Sequence, residues 1–364
     1  QRSYDRFLNT KMNMSPYICG ILMCVAAASA VDVWNLQQLE AAKRGNDLTI
    51  NVRDIFVPAG QTLNFEFVKP GTTIVFRGRV TFGYKEWRGP LVILKGRNLK
   101  IKGGAGHIFD GEGRRWWDGT GTNSGKIKPY MFYVQLADSS VRGLTIKNSP
   151  AHTFAINDCN HISINNVMID NRDGNRFGGH NTDGFDVAKS HRVIIANSTI
   201  YNQDDCLAIN SGTDITFQRN KCIGGHGIAV AVGGYDVNEA RNIVIRGCRC
   251  LQTKYGVRIK TLLNGRGIVK GVKIENILLK DVTDAGLLII GNYLNSGPRG
   301  EPTGGIPIED LTVNNVRGNV LAKGTNINVF VANARNWNWS SNIQGGQRRL
   351  PCKGIPNGLR IPCG

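Results

Sequence analysis

The sequence contains no Cys-x-x-Cys pair and no two histidines at ligand spacing, so it offers none of the compact frames that hold structural zinc. No apolar run reaches the roughly 20 residues of a membrane-spanning helix; the longest, inside 16–30, holds about 14. Aromatic residues are only 8% of the chain, and helical periodicity is confined to one short stretch, which argues against a helical bundle. Acidic residues are scarce as well: 27 Asp and Glu face 45 Lys and Arg, for a formal net charge of +18. That imbalance points to a polyanionic partner.

Glycine and short Val/Ile pairs are abundant. An apolar-x-apolar unit, often closed by Asn or Gly, recurs along most of the chain. It appears at Leu99-Lys-Ile101, Leu144-Thr-Ile146, Ile162-Ser-Ile164, Val193-Ile-Ile195, Ile215-Thr-Phe217, Ile243-Val-Ile245, Val272-Lys-Ile274 and Leu311-Thr-Val313. A short strand and a turn repeated every 20–30 residues make one coil of a solenoid. Each coil buries its inner face only by stacking on the next, with strands pairing in parallel. Asn and Gly suit the corners because they tolerate left-handed backbone. The fold expected is all-β, a right-handed parallel β-helix. Val33, Leu36, Leu39 and Ala42 predict one amphipathic helix within 31–45, placed to cap the open N-terminal end.

The apolar run ends in Ala28-Ser29-Ala30 behind Arg2, Arg6 and Lys11, which reads as a secretory signal over 1–30. A single catalytic domain over 31–364 is then expected, secreted and monomeric, with no membrane segment after cleavage. Removing 1–30 takes away three cations and Asp5 and leaves a formal +16. In that compartment nucleic acid is disfavoured as the polyanion, and an acidic polysaccharide fits better. Seven cysteines remain after Cys19 and Cys24 leave, so at least one thiol stays free. Local spacing suggests bridges Cys206–Cys222 and Cys352–Cys363. Asn197 and Asn338 open glycosylation sequons, Asn197 at a corner of the repeat.

Solenoid geometry converts sequence spacing into proximity. Asp183 and Asp204 stand 21 residues apart, as do Asp205 and His226. One coil per interval would stack three carboxylates and an imidazole on one face. Arg258 and Lys260, two apart, would share one side of a strand nearby. Crowded carboxylates drive one pKa upward, so one group can keep a proton while its neighbours stay ionised. Glycoside hydrolysis needs that division: an acid for the leaving oxygen and a base for water. The remaining histidines, His107, His152, His161, His180 and His191, read as ordinary polar or packed side chains. Trp87, Trp116 and Trp117 could stack on sugars, though packing of the early coils is the simpler reading.

Asn181-Thr-Asp-Gly-Phe-Asp186, Gln203-Asp-Asp-Cys206, Gly224-Gly-His-Gly227 and Arg258-Ile-Lys260 resemble the four signature motifs of the polygalacturonases of glycoside hydrolase family 28. Thr81–Pro90, Arg115–Gly119 and Gly291–Gly297 look like the fungal-type, endo-acting members. The resemblance implies cleavage of α-1,4-galacturonan with inversion and without cofactor or metal. It implies Asp204 as general acid, Asp183 and Asp205 activating water, and His226 setting the protonation of the cluster. Arg258 and Lys260 would grip a galacturonate carboxylate, with Asn181 and Tyr293 lining the substrate site. A plant polygalacturonase-inhibiting protein is a further partner of the kind the resemblance suggests. Lys189 and Ile228–Ala231 depart from the family pattern without removing a catalytic group. A Ca²⁺-dependent pectate lyase and a non-cutting pectin-binding homologue are the competing readings.

Overall fold

The computed structural model describes residues 29–364 except Tyr235, Val237 and Ser296. The proposed leader therefore lies outside the described residues, apart from Ser29 and Ala30. Ala30 already pairs with Thr49 in the first strand, Ala30–Val33. The expected helix is shorter than its pattern suggested. Residues 31–33 are strand, and the helix runs Leu36–Arg44. Asn35 explains the late start: its side chain accepts from the Gln38 N–H at 2.9 Å, while the Gln38 side chain takes the Trp34 N–H at 2.8 Å. Leu39 and Ala42 of this helix are buried and close the end of the core.

From there the chain winds as a right-handed parallel β-helix. A middle coil consists of Phe185–Ala188, Ser190–Ala196 and Thr199–Asn202. The next is Asp205–Ile209, Gly212–Gln218 and Lys221–Gly224. Each strand pairs in parallel with its counterpart one coil on. Phe185 lies opposite Leu207 and Asp205 opposite Gly227, a turn of 22 residues; past a register shift after Asp205, Leu207 lies opposite Ile228, a turn of 21. Coil length is set by the loops: Phe154 to Phe185 is 31 residues, because a short helix, Gly174–Phe177, is inserted between their strands.

The inner faces make one continuous hydrophobic core from Val33 to Trp337. An aromatic column runs through it, Phe65, Phe76, Phe109, Phe132, Phe154, Phe185 and Phe217, with successive ring centres 4.5–6.5 Å apart. Corner asparagines Asn166, Asn197, Asn276 and Asn315 all have φ between 54° and 56°. They also bond along the stack: the Asn315 amide donates to Asn276 at 2.6 Å. Asn197 is exposed, but its carbonyl accepts from Arg219 at 2.8 Å. Asn338 is exposed in the last strand, Asn338–Gln344.

Cys206–Cys222 and Cys352–Cys363 are disulfides, with Cα atoms 5.7 and 6.0 Å apart. Cys159, Cys248 and Cys250 are buried thiols, and burial pushes the pKa of all three up, that of Cys159 and Cys248 to about 12. Trp116 and Trp117 are buried, with their indole N–H groups donating to the Lys85 and Ser149 carbonyls. Trp87 packs against the core, so the three are packing residues of the early coils.

Candidate active site

One edge of the stack carries the strands Phe154–Asn157, Phe185–Ala188, Asp205–Ile209, Gly227–Val232 and Tyr255–Leu262 side by side. The turns entering these strands hold the chemistry. The 22-residue register sets Asp183 beneath Asp205 and Asp204 beneath His226. The backbone confirms the second pair, because His226 N–H donates to the Asp204 carbonyl at 2.7 Å. All of Asn181, Asp183, Asp204, Asp205, His226, Arg258, Lys260 and Tyr293 line one cleft of about 960 Å³.

Glycines let these turns approach so closely. At Gly225, with φ 60°, a Cβ would stand 2.3 Å from the Asp204 carbonyl oxygen. At Gly227, with φ 79°, it would stand 2.0 Å from the Tyr255 carbonyl oxygen. The Gly-Gly-His-Gly sequence is thus a packing requirement that delivers the imidazole. Asn202 ties down the turn beneath, donating 2.9 Å bonds to both the Asp204 and Asp205 carbonyls.

Asp204 accepts from three sides: His226 Nδ1 at 2.8 Å, the Asp205 N–H at 2.8 Å and the Asn181 amide at 3.0 Å. Burial pushes its carboxyl up, but the His226 bond and the charges of His226, Lys260 and Arg258 outweigh this and hold it down to about 2. Asp183 goes the other way. Burial drives it well above the usual carboxylate range, the His152 charge opposes this, and Asp204, Asp186 and Asp205 add to the rise. Of the two, Asp183 therefore holds a proton to higher pH, and Asp204 ionises first.

Asp205 is bracketed by cations: Arg258 Nη2 forms a tight ion pair with Oδ1, and Lys260 Nζ lies 3.2 Å from Oδ2. The Arg258 guanidinium also sits 4.3 Å from the Tyr255 ring centre, and Lys260 Nζ 4.7 Å from that of Tyr293. Aromatic faces keep both cations in place while leaving them on the cleft wall. Lys189 turns away, to Asp236 at 3.4 Å, and is not part of the cleft lining.

Two groups of donors, His152 with Asp183 and Asp186, and Asp204 with Asp205 and His226, lie within 4.8 Å. In the second, Arg258 and Lys260 already supply positive charge of the kind an ion would bring. The first contains two residues that the sequence reading missed. His152 reaches Asp183 and Asp186 across a 31-residue coil, a proximity no local motif signals. Asp186 closes the Asn181–Asp186 motif but had been given no role.

The profile of glycosyl hydrolases family 28 matches residues 48–361. The chain belongs to this family. A polygalacturonase from Penicillium griseoroseum is 41% identical over 358 residues, spanning 96% of this chain and 95% of the relative. Endopolygalacturonase I from Aspergillus oryzae is 44% identical over 314 residues, covering 85% of each chain. Among solved structures, endopolygalacturonase I from Stereum purpureum, complexed with two galacturonate molecules, superimposes with a TM-score of 0.76 at 31% identity. It covers 87% of this chain and 95% of its own. As a family 28 member, the chain is a glycosidase whose acids, imidazole and cations converge on one cleft.

Proposed function

We propose that this protein is a secreted endopolygalacturonase that hydrolyses α-1,4-galacturonosyl linkages in de-esterified pectin, with inversion at the anomeric carbon. One observation carries the reading. Three carboxylates and an imidazole share a cleft with a cation pair, so groups that cleave a glycoside lie beside groups that bind a sugar acid. The guanidinium fork of Arg258 and the ammonium of Lys260 suit a galacturonate carboxylate.

That contact also resolves the position of the proton. Lys260 and Arg258 help hold Asp204 ionised. A substrate carboxylate drawn between them neutralises this help, and the Asp204 pKa rises. Asp183, destabilised as a neighbour of Asp204, gives up its proton to the same cluster. Asp204 then protonates the glycosidic oxygen, and Asp183 with Asp205 activates the water that attacks from the other face. The proton that Asp183 takes from the water restores the starting state, while His226, bonded to Asp204, holds that carboxylate in place.

The test uses polygalacturonate with a reducing-end assay. The wild-type chain should release reducing ends and shorten the polymer early. Asp204→Asn should lower turnover by about 10²–10⁴, the usual loss with an acid–base catalyst, and keep the wild-type circular dichroism. Activity of the variant near wild type removes Asp204 from the acid role. Chelator-sensitive release of an ultraviolet-absorbing unsaturated product would instead identify a lyase.

A further inference from the structure

We propose that His152 is a positioning residue for the hydrolytic base: as a doubly protonated imidazolium it clamps Asp183 and Asp186 together at the cleft wall. This rests on the reading of Asp183 as a base.

The backbone fixes the arrangement. Thr153 N–H donates to the Asp183 carbonyl at 2.7 Å, and Phe154 pairs with Phe185, so His152 enters its strand directly beside Asp183 one coil on. The ring then faces two acids at once. Its Nδ1 lies 3.0 Å from Asp186 Oδ2 and its Nε2 lies 3.6 Å from Asp183 Oδ1. A neutral imidazole carries one N–H and one lone pair. Once Asp183 is ionised, as a base must be, either neutral tautomer would aim a lone pair at a carboxylate, so only the cation then satisfies both sides. The two oxygens have no other partner: each is buried and lacks an aligned hydrogen bond. Tyr130 stacks on the ring, 4.9 Å between centres at 22°, and sets its plane.

Charge accounting points the same way. Arg258 and Lys260 neutralise Asp205, and His226 holds Asp204. Among the described residues His152 alone forms ion pairs with Asp183 and Asp186. The groups facing the ring are Tyr130 on one face and Asp183 and Asp186 from the next coil, with Asp204 and Asp205 beyond them acting on Asp183. Burial works against a charged His152, but the Asp186 and Asp183 charges outweigh it and raise its pKa well above the usual value. The imidazolium in turn opposes the rise at Asp183. Without it, Asp183 would ionise only at higher pH.

The experiment compares pH–rate profiles of wild type, His152→Gln and His152→Arg on polygalacturonate. An opposite charge within 4–6 Å typically lowers a carboxyl pKa by about 1–3 units. The acidic limb of His152→Gln should therefore move to higher pH by at least the lower end of that range, and His152→Arg should bring it back towards wild type. A limb that stays in place while the whole profile drops shows a packing role and overturns the proposal. If the wild type leaves polygalacturonate uncut, the functional reading falls, and the clamp is decided separately by ¹⁵N NMR of the wild-type histidines. His152, assigned by its absence from the His152→Gln spectrum, should show two protonated ring nitrogens at pH 7. A single protonated nitrogen rules the clamp out.

Discussion

At the scale of single residues, the cleft trades stability for chemistry. Asp183 is buried, and among the described residues its one ion-pair partner is His152. Its folded-state pKa is raised, so the folded protein binds that proton more tightly than the unfolded chain does. The contribution to stability is thus present at low pH and becomes a penalty as pH rises through the normal carboxyl value near 4. Asp183→Asn should abolish most activity yet raise the melting temperature at pH 7, with the gain shrinking towards zero near pH 4. Thermal melts at the two pH values check this; a variant less stable than wild type at pH 7 contradicts it. Asp183, Asp204, Asp205 and His226 were legible as candidates because each sits in a short motif and the motifs recur at coil spacing. His152 was not. Its significance exists only once a 31-residue coil, lengthened by the Gly174–Phe177 insertion, brings it level with Asp183.

At the scale of elements, the corner is the repeated unit. Asn276 lies exposed with φ 56°, in the region where L residues other than Asn, Asp and Gly are strained. Asn276→Val should destabilise by about 1–2 kcal/mol, the penalty of a β-branched residue in left-handed backbone. Asn276→Gly should retain nearly full stability in the same urea titration. Equal losses in the two variants would assign the effect to the lost Asn315 bond and not to the backbone. The apolar-x-apolar-Asn pattern exposed these corners because strand alternation and turn chemistry are both local. Coil length was less legible. The 21-residue spacing of the acids matches the turn from Leu207 to Ile228, but up to Asp205 the pairing takes 22, so Asp204 and Asp205, in successive positions, each stack on a different partner. The N-terminal helix was over-extended for a related reason. Val33 fits a helical stripe with Leu36, Leu39 and Ala42 equally well, until the Thr49–Val52 strand offers Ala30–Val33 a partner.

For the whole molecule, a strongly basic chain gathers its acids, imidazole and cations along one face of the coil stack. The parallel β-helix could be read in advance because eight copies of one unit admit few other architectures. Its core of stacked inner faces, from Val33 to Trp337, then holds the cleft strands in register. What repeats cannot reveal is which side of the stack works. That depended on the Gly225 and Gly227 turns and on the cation pair meeting Asp205. The claim that this face hydrolyses galacturonan with inversion is tested most directly by a ¹H NMR time course on α-linked polygalacturonate. The account predicts that the first new reducing ends are β-anomers, that α-anomers follow by mutarotation, and that no vinylic proton appears. New ends born as α-anomers, vinylic signals, or an intact polymer would contradict it.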